Sequence, residues 1–254
     1  MAKKNSIGTP SLFVGGTILF SLAWMMPSFP LLAFVGFAPF IAIAANNRKE
    51  KSMWSSLELV LLGLSISFFA GSLFSFDLLA SILAHAILFT LSFFFFFFVR
   101  KSLGPGVSII TLSIFWLTIE YILLKWSPLP VTFLADLFFL KPEWTAWNPA
   151  TGYLGASFWV LITNTFLYQA VLTEKKVNWI FVVLFLFTVI GPLIYSYTIA
   201  DDLITRDQMT QLYSSSSNET NDYNLNGEFI PRTAAWVSVL IVLFTLVKRK
   251  TTKK

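Results

Sequence analysis

Apolar runs alternate with short polar connectors along almost the whole chain, and eight of these runs read as helices. They are Leu12–Met26, Leu31–Ala45, Met53–Phe76, Leu78–Val99, Val107–Lys125, Leu154–Leu172, Trp179–Ile199 and Ala234–Val247. Most are roughly 17–25 residues long, enough to cross a hydrocarbon core about 30 Å thick and far longer than the ~10-residue strands of an outer-membrane barrel. The breaks between them carry helix-stopping chemistry: Pro27 and Pro30, the run Asn46–Lys51, Gly104-Pro105-Gly106, and Thr173-Glu174-Lys175-Lys176. The expected fold is all-α, a polytopic integral membrane protein with eight transmembrane helices. More apolar runs follow the first one, so that run is expected to remain as a span and not to be cleaved as a leader.

Two connectors are long. Residues 126–152 are rich in Pro and Trp and only moderately hydrophobic, so Trp126, Trp144 and Trp147 are expected at a membrane–water interface. Asp201–Arg232 is polar, with six acidic residues against two Arg and neither Cys nor His, and reads as a flexible tether. The chain thus divides into a seven-helix membrane domain (1–199), a polar linker (200–232), and an eighth helix with a basic tail (233–254). Within the third run, Gly63, Ser67, Gly71 and Ser75 recur every four residues, a small-residue stripe suited to close helix packing.

Composition narrows the chemistry. Of 254 residues, 56% are hydrophobic and 12% charged, whereas a soluble domain is nearer a quarter charged. The absence of Cys excludes thiol nucleophiles, disulfides and iron–sulfur or Cys-zinc sites, and a single His leaves no multi-histidine metal site. No cofactor is expected.

The net charge of +5 comes from basic residues that sort by side. Alternating spans put fourteen Lys and Arg on one side: Lys3, Lys4, Arg48, Lys49, Lys51, Arg100, Lys101, Lys175, Lys176 and the five from Lys248 onward. The other side holds four, Lys125, Lys141, Arg206 and Arg232. By the positive-inside rule both termini are expected in the cytoplasm and linker 200–232 on the far side, and the basic clusters signal topology, not nucleic-acid binding.

Four stretches carry a resemblance. Pro30–Phe40 (PLLAFVGFAPF), Phe115–Glu120 (FWLTIE) with the following Pro128-Leu129-Pro130 loop, Asn148–Phe158 (NPATGYLGASF) and Arg232–Trp236 (RTAAW) are similar, in this order, to segments of the membrane domain of apolipoprotein N-acyltransferases. The resemblance covers Pro30 to Ile199 loosely, and about Gly227 to Arg249. It implies eight helices in a bacterial cytoplasmic (inner) membrane and a cavity that admits acyl chains from phospholipid or lipoprotein. It also implies a nitrilase-like domain with a Glu–Lys–Cys catalytic set between the last two helices. Here Asp201–Arg232 stands in that interval and the chain has no Cys, so the thioester step cannot be written and no family catalytic residue carries over. The resemblance therefore implies a pseudoenzyme-like lipid- or lipoprotein-binding protein, or a subunit of an envelope complex with a membrane-protein partner.

The alternative is an intramembrane lipid-modifying enzyme. Glu120 lies in an apolar helix about 9 Å from Trp126 at 1.5 Å per residue, and His85 lies at similar depth from Asp77, so the two are candidates for an acid/base pair. Asp77, Trp116, Trp126, Asp136, Lys141, Trp144, Trp147 and Asn164 are candidate lipid or partner contacts. Asn164 and Gln169 also read as interhelical hydrogen-bonding residues.

Overall fold

The computed structural model describes residues 8–26, 28–46, 50–127, 132–173, 176–203 and 229–252, and contains no strand among them. All eight apolar runs are helical. The helices are α1 (Thr9–Met25), α2 (Ala33–Gly36), α3 (Ala38–Asn46), α4 (Glu50–Gly71), α5 (Leu79–Leu103), α6 (Pro105–Trp126), α7 (Asn148–Thr151), α8 (Gly155–Leu167), α9 (Trp179–Leu203) and α10 (Phe229–Thr252). A π-turn, Tyr168–Leu172, extends α8. Six segments are long and apolar enough to cross a membrane: Ser52–Gly71, Phe76–Leu103, Pro105–Trp126, Gly155–Leu172, Trp179–Ile199 and Phe229–Thr251. The chain is an all-α membrane protein. The first two runs, Thr9–Met25 and Pro30–Asn46, form shorter apolar helices, and the second is broken at Phe37. Most of the linker, residues 204–228, lies outside the described residues.

The bundle is built in sequence: α1 packs on α4, α4 on α5, α5 on α6, and α6 on both α8 and α10, while α9 leans on α8. The small-residue stripe of α4 explains the first of these contacts. A Cβ on Gly63 would run into the Phe40 ring, and one on Gly71 would stand 2.7 Å from Trp24 Cβ. Ser67 reaches Ser21 at 3.4 Å. Of the six consecutive Phe on α5, Phe93 and Phe96 are buried and Phe94 is exposed, as one turn of a helix between core and lipid requires.

α4 ends in a Schellman turn. The Phe74 N–H reaches the Phe69 carbonyl and the Leu73 N–H reaches Ala70, each at 3.0 Å, with the rings of Phe69 and Phe74 in edge contact at 5.4 Å. Leu73 and Phe74 take φ of 52° and 61°, where glycine is usual.

At the opposite end of the bundle, Arg249 of α10 donates to the Phe98 carbonyl (2.7 Å) and to Ser102 Oγ (2.8 Å) and lies over the Phe98 ring. Arg100 donates to the Ala44 carbonyl at 3.2 Å. Arg100 thus satisfies one of the last four carbonyls of α3, which have no partner within the helix, while Arg249 ties α10 to the last two turns of α5.

The break at Phe37 is the largest departure from a plain bundle. Asn164, fully buried on α8, inserts its amide between α2 and α3. Its Nδ2 donates to the Ala33 carbonyl (2.7 Å) and its Oδ1 accepts from the N–H groups of Phe37 (3.0 Å) and Ala38 (2.8 Å). An Ala33–Phe37 helical bond is thus replaced by a side chain set into the ladder, a recognised cause of helix kinks. A second interruption lies in α9, where Pro192 lacks the N–H that would pair with the Thr188 carbonyl. Trp159 of α8 donates its indole N–H to that carbonyl.

Asn164→Ala would strand two backbone N–H groups and a carbonyl inside the bundle. The expected loss is about 3 kcal/mol or more of stability, read as a lowered melting midpoint of the detergent-purified protein; an unchanged midpoint would contradict the clamp.

Candidate functional site

Segment 132–154 folds back over one end of the bundle, as two 3-10 turns (Leu134–Phe138 and Pro142–Trp144) followed by α7. Phe133, Leu134, Ala135, Leu137 and Phe138 are all buried. Its 3-10 turns pair some of its N–H groups, but three consecutive ones at its start end on side chains. Phe133 N–H donates to Asp136 Oδ2 (2.7 Å), Leu134 N–H to Glu120 Oε1 (2.9 Å) and Ala135 N–H to Ser157 Oγ (3.0 Å). Glu120 comes from α6, Ser157 from α8 and Asp136 from the segment itself.

Glu120 is fully buried and its position is fixed from behind. Trp116, one turn earlier, donates its indole N–H to the same Oε1 at 3.1 Å. That indole is stacked on Phe89 (centroids 4.4 Å apart, planes at 11°) and meets Phe37 edge-on at 4.8 Å, so α2–α3, α5 and α6 all bear on it. Oε2 of Glu120 is buried with no hydrogen-bond partner among the described residues. The Ser157 hydroxyl faces this carboxylate.

Asp136 accepts the Tyr153 hydroxyl on its other oxygen. Burial pushes the Asp136 carboxyl up to about 7; the Phe133 N–H bond works against the shift and the charge of Glu120 adds to it. The cluster is therefore two interacting carboxyl groups, a phenol and a serine hydroxyl wrapped around three backbone amides.

His85 is not joined to it. The imidazole is buried on α5 and its Nδ1 lies 3.2 Å from Ser81 Oγ on the same helix, and no hydrogen bond links it to Glu120. The two residues singled out as an acid/base pair are thus held by different partners.

Asn164, a candidate contact and an expected interhelical hydrogen-bonding residue, holds backbone groups of α2 and α3. With a fourth bond from Nδ2 to Val160 O at 2.8 Å, its amide is fully used by backbone groups. Gln169 accepts from Thr173 at 3.3 Å.

Of the remaining candidates, Asp77 and Trp126 are exposed, and Lys141 pairs with Glu143 across 3.4 Å at the surface. The three Trp expected at a membrane–water interface differ in burial. Trp126 is 71% exposed and Trp144 half-buried, while Trp147 is buried edge-on to Trp159 at 5.6 Å. Trp159, stacked on Phe138 and edge-on to Trp147, draws this part of the segment into the core.

Tyr153 and Ser157 were not among the sequence candidates. Their signal was present in Gly152-Tyr153-Leu154-Gly155-Ala156-Ser157, where Gly155 leaves room for Thr151 and Trp147. No group of three metal-ligating side chains occurs among the described residues.

With fold and cluster defined, comparison with known proteins adds no kinship: no family model, no curated protein and no solved structure matches the chain.

Glu120→Gln keeps an oxygen for Leu134 N–H and Trp116 and should leave the melting midpoint within a few degrees of wild type. Glu120→Ala strands two buried donors and should cost about 2–4 kcal/mol. Equal midpoints for the two variants would contradict the anchoring role.

Proposed function

We propose that this protein is a non-catalytic relative of the apolipoprotein N-acyltransferase membrane domain that holds acyl chains of phospholipid or lipoprotein at the loop end of its bundle. The observation that carries the reading is the make-up of that end. Three turns there expose large apolar side chains: Met25, Met26, Phe29 and Leu31 after α1; Leu73, Phe74 and Phe76 after α4; Phe139 and Leu140 in segment 132–154. Packing sets the turns side by side, since Trp24 lies against Gly71 and Phe34 against Phe138. Beside them stand the Lys141–Glu143 pair and half-buried Trp144, a polar rim next to an apolar shoulder. Such a surface suits a molecule with an acyl chain and a polar head.

Several features favour binding over turnover. The chain has no Cys. Ser157 is fully buried with its oxygen taken by an amide, and the imidazole is bonded elsewhere. The serine oxygen, the phenol, both Asp136 oxygens and Oε1 of Glu120 are engaged in holding segment 132–136. In this reading the protein sits in a bacterial inner membrane with both termini cytoplasmic and the loop end outside, and it serves an envelope complex.

A fluorescent diacyl phospholipid and a diacylated lipopeptide titrated into detergent-purified protein test this directly. Saturable binding of at least one probe without acyl transfer is expected. Phe29→Asp with Leu140→Asp should weaken it about tenfold, the ~1.4 kcal/mol of a lost apolar contact. Non-saturable uptake indifferent to the double variant, or transfer of label between the probes, would overturn the proposal.

A further inference from the structure

Two carboxyl groups at one end of an apolar bundle call for a balancing charge, and among the described residues none bonds to either. Among the described residues no Lys, Arg or His pairs with Glu120 or Asp136: Lys141 is taken by Glu143 and His85 by Ser81. The groups that reach the two carboxyls are hydrogen-bond donors only. They are Trp116 on α6, Ser157 on α8, Tyr153 before it, and the amides of Phe133 and Leu134.

The two acids are also tied to one another through the chain. They terminate on adjacent amides of one segment, so two hydrogen bonds and a single peptide unit separate them. The charge of Glu120 disfavours ionisation of Asp136. Finally, Oε2 of Glu120 is fully buried and has no hydrogen-bond partner among the described residues. A bare carboxylate oxygen in that position loses its hydration with no hydrogen bond among the described residues to replace it, a cost that a neutral carboxyl does not carry.

We propose that Glu120 and Asp136 share one proton, the pair carrying a single negative charge, and that this proton is what allows segment 133–136 to stay locked on the bundle. Loss of the proton puts two like charges within the cluster and sets them against burial, and the segment loosens. The proton leaves through Asp136, the half-buried member of the pair. The sign follows from the upward shift of Asp136. A group whose folded value is raised contributes stability at low pH, and that contribution is lost as pH rises through about 7. The lock is closed in acid and released in alkali.

The test uses the full chain in detergent, followed by infrared spectroscopy and by labelling. Wild type should show a carboxylic-acid carbonyl band at pH 7 that disappears as pH rises. In Glu120→Gln the repulsion is gone, so the titration of Asp136 should fall by about one pH unit. Tyr153→Phe removes a donor to the ionised form and should move it upward.

The chain has no Cys, so Leu140→Cys gives a clean probe. Its rate with a water-soluble maleimide, relative to an exposed Lys176→Cys control at the opposite end, should rise several-fold through the same pH interval. Absence of the acid band at pH 7 in the folded protein, or a titration unmoved by Glu120→Gln, would overturn the sharing. A flat Leu140→Cys profile would overturn the lock.

Discussion

Hydrocarbon offers no partner to a free backbone amide or carbonyl, and this constraint shapes the molecule more than any other. A chain of plain helices meets it automatically. This one breaks its backbone three times, between α2 and α3, at Pro192 of α9, and in the segment folded over the end of α6. Each break is repaired by a side chain from the same helix: Asn164, Trp159 and Ser157 of α8. Ser157 and Asn164 stand seven residues apart, two turns along one face, so α8 works as a spine to which irregular neighbours are fastened.

Glu120 takes on a different meaning in this frame. An acid within a transmembrane helix invites a catalytic or relay role, because its burial is costly. Here the carboxyl accepts from an indole and a backbone amide, so it has a structural task that Gln could share in part. What an acid adds, and an amide does not, is a proton that can come and go beside a second acid. The same cluster can therefore hold the loop end together and make its hold depend on pH. An apolar shoulder next to that loop gives such a dependence something to act on.

Much of this architecture was legible in the sequence. The apolar runs matched helices within a few residues, because length and continuous hydrophobicity are enough to define a helix in lipid. The α4 stripe foretold close packing with a neighbour. The sites were harder. Nothing near Phe37 announces that an Asn more than 120 residues onward will enter its helical ladder. Gly36 and Pro39 mark weakness there, but the repair is tertiary. Trp147 is an interfacial residue by type and a core residue in fact, held by its edge-on contact with Trp159. His85 and Glu120 matched in depth along their helices, yet depth says nothing about which way a side chain faces.

Hydrogen–deuterium exchange resolved to single amides gives the most direct test of the central claim that side chains of the bundle satisfy the broken backbone. Phe37, Ala38, Phe133, Leu134 and Ala135 should exchange as slowly as the helical core of α8, although none has a regular helical partner. In Glu120→Ala, protection should collapse at Phe133–Ala135 and persist at Phe37 and Ala38. Rapid exchange at these amides in the native protein would contradict the account.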